Sequence, residues 1–140
     1  MAVAAGRTIG YARIGTCLIY VSSKRSPSDS DWTEYAAWFQ KTNPPGSTVV
    51  SVVYERNGGP NAAQRKQINE MTARCQVKAA VIAVSPIARG ILTALSWFKD
   101  GYKAFNPSEM EAAFEFLDVR GALATEVRQT IQKMILEMDR

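Results

Sequence analysis

Short apolar runs separated by polar, proline- and glycine-bearing punctuation organise this chain. Residues 7–14, Arg-Thr-Ile-Gly-Tyr-Ala-Arg-Ile, alternate loosely between apolar and polar. After Gly15, residues 16–22, Thr-Cys-Leu-Ile-Tyr-Val-Ser, form a second apolar run. Together they predict an antiparallel β-hairpin. Beyond the polar loop Ser26 to Ser30, Trp32, Tyr35, Ala36 and Phe39 recur at helical spacing. They predict a helix to about Lys41, with Asp31 as N-cap and Glu34 as its capping partner. Asn43-Pro44-Pro45-Gly46 ends it.

The middle of the chain repeats a strand–helix rhythm. Residues 48–54, Thr-Val-Val-Ser-Val-Val-Tyr, are dominated by β-branched side chains, as suits a strand buried on both faces. The turn Arg56-Asn57-Gly58-Gly59-Pro60 leads to a helix with Asn61 as N-cap, Gln64 three residues on, and Ala63, Ile68 and Met71 on its apolar side. Residues 78–84, Lys-Ala-Ala-Val-Ile-Ala-Val, predict another buried strand. Ser85 then caps a helix whose first position is Pro86, where a missing N–H costs nothing. Ile87, Ile91, Ala94, Leu95 and Phe98 line that helix, and Asp100-Gly101 breaks it. Residues 102–105 predict a short fifth strand. Ser108 and Glu111 predict a capping box before a helix that turns Met110, Ala113, Phe114 and Leu117 inward. A final helix over 122–138 places Leu123, Val127, Ile131, Met134, Ile135 and Met138 on one stripe.

The resulting order, ββαβαβαβαα, predicts an α/β fold: a small mixed, mainly parallel five-stranded sheet with an N-terminal β-hairpin and helices packed on it. At 140 residues this is one domain, 1–140, with 122–138 as a C-terminal helical extension. The order resembles the STAS domain and its SpoIIAA-like relatives, which include bacterial anti-sigma-factor antagonists. The resemblance spans about residues 7–118. It rests on the hairpin, three short buried strands, and the turn-to-helix junction after the third strand. It implies a regulatory fold that binds another protein. In the antagonists this junction carries a phosphorylatable serine at the helix start. Here it reads Gly59-Pro60-Asn61-Ala62-Ala63, with no serine or threonine, so the phospho-switch is not expected to carry over.

Composition narrows the chemistry. Hydrophobic residues make up 46% and charged residues 21%, which is ordinary for a globular chain and argues against disorder. The net charge is +4, and Lys24-Arg25 and Arg65-Lys66 stand apart instead of forming a basic stripe, so no nucleic-acid partner is expected. Histidine is absent, which removes the commonest general base and most transition-metal sites. The carboxylates Asp29, Asp31, Glu34 and Glu55 are scattered, and no acid/base dyad is legible. Cys17 and Cys75 suit buried or half-buried thiols in a reducing compartment. No membrane segment and no leader is indicated, so a cytoplasmic protein is expected. No enzyme activity, cofactor or metal is expected.

Ligands and partners of open α/β sheets meet the loops at the carboxyl ends of the strands. Two loops qualify, 56–61 and 85–89, and they converge if their strands are neighbours. Gly58 and Gly59 would let backbone N–H groups approach an anion, or simply make a tight turn. Asn61 and Ser85 read first as helix caps. Arg89 lies in the first turn of its helix, where the dipole disfavours a cation; either it faces solvent at negligible cost, or an acidic neighbour, a bound anion or a partner carboxylate compensates it. Arg65, four residues after Asn61, would face the same way. The binding candidates are therefore Gly58, Gly59, Asn61, Arg65, Ser85 and Arg89. Trp38-Phe39 and Trp97-Phe98 each place two aromatics about 100° apart on a helix, so one of each pair faces away from the core. The leading expectation is a non-enzymatic regulatory or scaffold module with a protein partner. The alternatives are a small-anion or nucleotide-sensing domain using the two loops, and a self-assembling unit, a homo-oligomer joined through the last helix.

Overall fold

The computed structural model describes residues 3–57, 59–86, 90 and 101–140. Among these, β1 (Ile9–Ile14) and β2 (Cys17–Ser22) form the expected hairpin, with Gly15 at φ +57 closing it. Next come α1 (Asp29–Thr42), β3 (Thr48–Glu55), α2 (Ala62–Thr72), β4 (Gln76–Ala83), β5 (Tyr102–Phe105), a 3-10 turn (Pro107–Glu109), α3 (Met110–Leu117) and α4 (Gly121–Met138). The sheet order is β1-β2-β3-β4-β5. β1 runs antiparallel on one edge, and all other pairs are parallel. The mixed, mainly parallel five-stranded sheet agrees with the sequence reading. The helix expected over 86–98 falls largely outside the described residues, as do Trp97 and Phe98.

Each strand sends alternate side chains to opposite faces, and both faces are covered. One layer holds α1 and α2. There Trp32, Tyr35, Ala36, Phe39 and Met71 pack on Ile9, Tyr11, Leu18, Tyr20 and Val49. The other layer holds α3 and α4. There Ala113, Phe114, Leu117, Val127, Ile131, Met134 and Met138 close over Cys17, Ile19, Val21, Val52, Ala80, Ile82 and Phe105. The methionine-bearing stripe of α4 is therefore spent on β1 and β2, as part of the same core as the rest of the chain. Trp38 is half-buried and lies against the rings of Tyr11 and Tyr35, while Phe39 is buried.

Three local expectations are corrected. The N-cap of α1 is Ser28, whose side chain accepts from the Asp31 N–H. Asp31 sits inside the first turn and accepts instead from the Thr8 backbone N–H and hydroxyl, at 2.8 and 2.7 Å. A long-range partner on the chain entering β1 thus outcompetes the local cap. The capping box before α3 uses Asn106 and Glu109, not Ser108 and Glu111, because a 3-10 turn with Pro107 precedes the α-helix. On α2 the residue turned into the protein is Gln64, while Ala63 is exposed. Gln64 Nε2 donates to Pro27 O and to Asp29, so its burial is satisfied by polar partners.

Candidate functional site

β3 and β4 are adjacent and parallel, with Glu55 in register with Ala83, so the chain leaves both strands at the same end of the sheet. The Val84 N–H donates to Glu55 O at 3.0 Å, holding the start of the second loop against the first. The carboxyl end of β2 arrives beside them. Arg56 N donates to Ser22 Oγ, and Arg56 Nε donates to Ser22 O. The far end of the Arg56 guanidinium forms a two-pronged pair with Asp139, at 2.9 and 3.0 Å, and thereby ties the C-terminal end of α4 to this surface.

The loop after β3 satisfies itself. Asn57 Nδ2 donates to Ser23 O and Arg25 O, bracing the loop after β2, and its Oδ1 accepts from the Gly59 N–H at 2.6 Å. Gly59 adopts φ +90, the left-handed region that glycine enters freely. Asn61 and Gln64 then exchange bonds in the expected capping box, at 3.0 and 2.8 Å. Two N–H groups that would cradle an anion, those of Gly59 and Asn61, are thus already paired. Arg65 curls back so that its Nη1 donates to Pro60 O at 2.7 Å, leaving its side chain exposed beside the loop. Ser85 is half-buried at the end of β4. Of the predicted binding residues, Gly59, Asn61, Arg65 and Ser85 are placed at this end of the sheet. Gly58 and Arg89 lie outside the described residues. Among the described residues, no group of cysteines and carboxylates is arranged to hold a metal ion. No helix among them is long and apolar enough to cross a membrane.

Two features of this end escaped the sequence reading. Val84 is 42% exposed, one of two large hydrophobic side chains so exposed among the described residues. Glu55 is the other. It is only 5% exposed, and its Oε1 has no hydrogen-bond partner among the described residues. Burial pushes its carboxyl up to about 7, against the opposing pull of the Ser22 hydroxyl and the Asn57 N–H. The signal was in the alternation. Glu55 continues the phase of Val49 and Val53, both packed in the layer of α1 and α2, so a strand reaching residue 55 carries it inward.

No known family description and no curated protein sequence matches this chain. A solved structure does: an uncharacterised protein of the DUF3478 family from Shewanella loihica PV-4, described as having a SpoIIAA-like fold. The two share 13% sequence identity, with a TM-score of 0.59. The match covers 84% of this chain and 98% of the other. The chain has a SpoIIAA-like fold. That assignment concerns the architecture and agrees with the resemblance read from the order of elements. The SpoIIAA-like frame is what aligns β2, β3 and β4 so that the carboxyl ends of the three strands lie side by side. At the junction after β3 this chain carries the Asn61–Gln64 capping box.

Proposed function

We propose that this chain is a non-enzymatic regulatory or scaffold module that binds a protein partner through the carboxyl ends of β3 and β4. The observation that carries the reading is the make-up of that surface. An exposed apolar residue, Val84, stands beside the bonds made by Asn57 and Gly59, with Asn61 and the Arg65 guanidinium exposed nearby. Apolar area framed by polar groups and an arginine is the ordinary make-up of a protein contact. A small-anion site would need free N–H donors at the helix start, and two of those present are already used. The SpoIIAA-like fold supports the reading as architecture, and the absence of histidine from the sequence is consistent with it.

The test compares native purification of the wild-type chain with that of an Arg65→Glu/Val84→Asp variant. The reading expects a protein retained by the wild type, lost from the variant, and an unchanged melting temperature. Equal retention by both proteins, or catalytic turnover of a nucleotide or ester by the purified wild type, overturns it.

A further inference from the structure

The two basic pairs that stand far apart in the sequence, Lys24-Arg25 and Arg65-Lys66, meet at one end of the sheet. Lys24-Arg25 follows β2, and Arg65-Lys66 lies near the start of α2, after β3. β2 and β3 are parallel neighbours, so the chain leaves both strands at the same end. Two hydrogen bonds then fasten the segments together. Asn57 Nδ2 donates to Arg25 O at 2.7 Å, and Gln64 Nε2 donates to Pro27 O at 3.0 Å. Gln64 is buried and immediately precedes Arg65, so α2 grips the loop that carries Arg25 from within the protein. All four basic side chains are exposed.

Their charges are held in place without being neutralised. Arg25 Nη2 donates to Gly6 O at 2.6 Å, and Arg65 Nη1 donates to Pro60 O at 2.7 Å. A neutral carbonyl fixes a guanidinium and leaves its charge intact. Among the described residues, no carboxylate comes within ion-pair distance of Lys24, Arg25, Arg65 or Lys66. The described carboxylates at this end are engaged elsewhere. Asp29 accepts from Gln64, Asp31 accepts from Thr8 and faces Arg7, and Glu34 also faces Arg7. Lys24 lies close enough to Asp139 to help hold its carboxyl down, but Arg56 already pairs that charge at 2.9 Å. The first turn of α2 contains no acidic residue, so the positive end of its dipole adds to the same potential.

We propose that the exposed basic rim of Lys24, Arg25, Arg65 and Lys66 takes an acidic segment of a protein partner, an extended stretch whose spaced carboxylates meet the Arg25 and Arg65 guanidiniums in turn. This names the chemistry of the partner, and it rests on the reading that the partner is a protein and that Arg65 belongs to its surface. Guanidiniums already aimed by their own carbonyl contacts lose little freedom on meeting a carboxylate. Unlike charges across such a rim steer encounter and exclude basic partners. A single-stranded nucleic acid would add stacking on aromatic side chains, and no aromatic residue adjoins either basic pair.

The probe is a fluorescently labelled peptide of alternating glutamate and leucine, added to the isolated full-length chain at low salt and followed by anisotropy. Arg25→Glu/Arg65→Glu should weaken binding about tenfold, from two lost exposed pairs and the repulsion that replaces them. The charge-matched control is Lys41→Glu/Arg74→Glu, at the opposite ends of α1 and α2, where both residues are exposed. It changes net charge equally and should weaken binding less than about twofold. Equal losses in the two variants, or no saturable binding, overturn the inference. So does an oligouridylate bound as tightly as the peptide and lost in the same variant. Should Arg25→Glu/Arg65→Glu fail to fold, amide shifts of the wild type on adding the peptide decide. Shifts concentrated at residues 23–26 and 61–66 support the inference, and shifts concentrated elsewhere overturn it. A chain that retains its partner in native purification yet ignores the peptide fails this inference alone, and one that binds the peptide yet retains no protein fails the reading above alone.

Discussion

Shortening Ile131 to alanine tests whether the last helix belongs to the core or is an appendage. Ile131 is 1% exposed and packs in the cluster that includes Cys17, Ile19 and Val21 on the underlying strands. Truncation removes its three outer carbons, about 2.4 kcal/mol of transfer free energy at about 0.8 per buried CH2 group. Strands pinned in the sheet relax little into the space, so a cavity cost adds to this and brings the expected loss to about 3–4 kcal/mol. Leu136, five residues along the same helix, is 69% exposed and serves as the internal control. Its replacement by alanine should change stability by less than about 0.5 kcal/mol. Urea unfolding followed by far-UV circular dichroism measures both. With a slope near ~2 kcal/mol per molar, Ile131→Ala should lower the midpoint by about 1.5–2 M. A loss below about 1 kcal/mol for Ile131→Ala, or equal losses for the two variants, would refute the placement of α4 on the sheet. Leu136→Glu extends the test to assembly. A helix whose apolar stripe is spent inside its own chain should leave the molar mass by light scattering unchanged by this substitution.

Three further outcomes follow from the geometry. A Cβ added at Gly101, which adopts φ +90, would lie 2.2 Å from Val77 O, while the Gly101 carbonyl accepts from the Ala79 N–H at 2.7 Å. Gly101→Ala should therefore cost about 3 kcal/mol in urea unfolding, and a loss under about 1 would contradict the strand entry described here. Asn61→Ala removes the Oδ1 that accepts from the Gln64 N–H and should cost about 1 kcal/mol, with Asn61→Ser restoring most of it. Equal melting temperatures for the wild type and the alanine variant would count against the cap. Asp31 is opposed in ionising by burial, yet the Thr8 bonds and the Arg7 charge outweigh this and lower its pKa. Its contribution to stability is present above its ordinary 3.8 and lost as pH falls, so Asp31→Asn should be about 1–2 kcal/mol less stable at pH 6 and nearer the wild type at pH 3. A deficit that does not shrink on acidification would be the contrary result.

Periodicity and punctuation were enough to read the strands, the hairpin, both flanking helices of β3 and the inward face of α3. These signals are written within ten or so consecutive residues, and burial on one face or two leaves a direct imprint on them. The Asn61 cap was legible for the same reason, since its partner Gln64 lies within one turn. The two misplaced capping boxes show the limit. Ser28, Asp31, Asn106 and Ser108 are all competent cap residues, and choosing among them depended on Thr8 for one helix and on a 3-10 turn for the other.

Tertiary structure alone decided the rest. Bringing the carboxyl ends of β3 and β4 side by side required the two strands to be neighbours in parallel register, a pairing between residues nearly thirty positions apart. The clamp from Arg56 to Asp139 joins residues 83 positions apart. The burial of Glu55 needed β3 to extend one residue past its apolar run, on the face covered by α1 and α2. The sequence by itself determined an α/β chain with strand-end loops between its helices. Which polar groups meet at those strand ends, and which one is shut away from water there, was settled by packing between segments, because burial and pairing are properties of neighbours that the chain brings together only on folding.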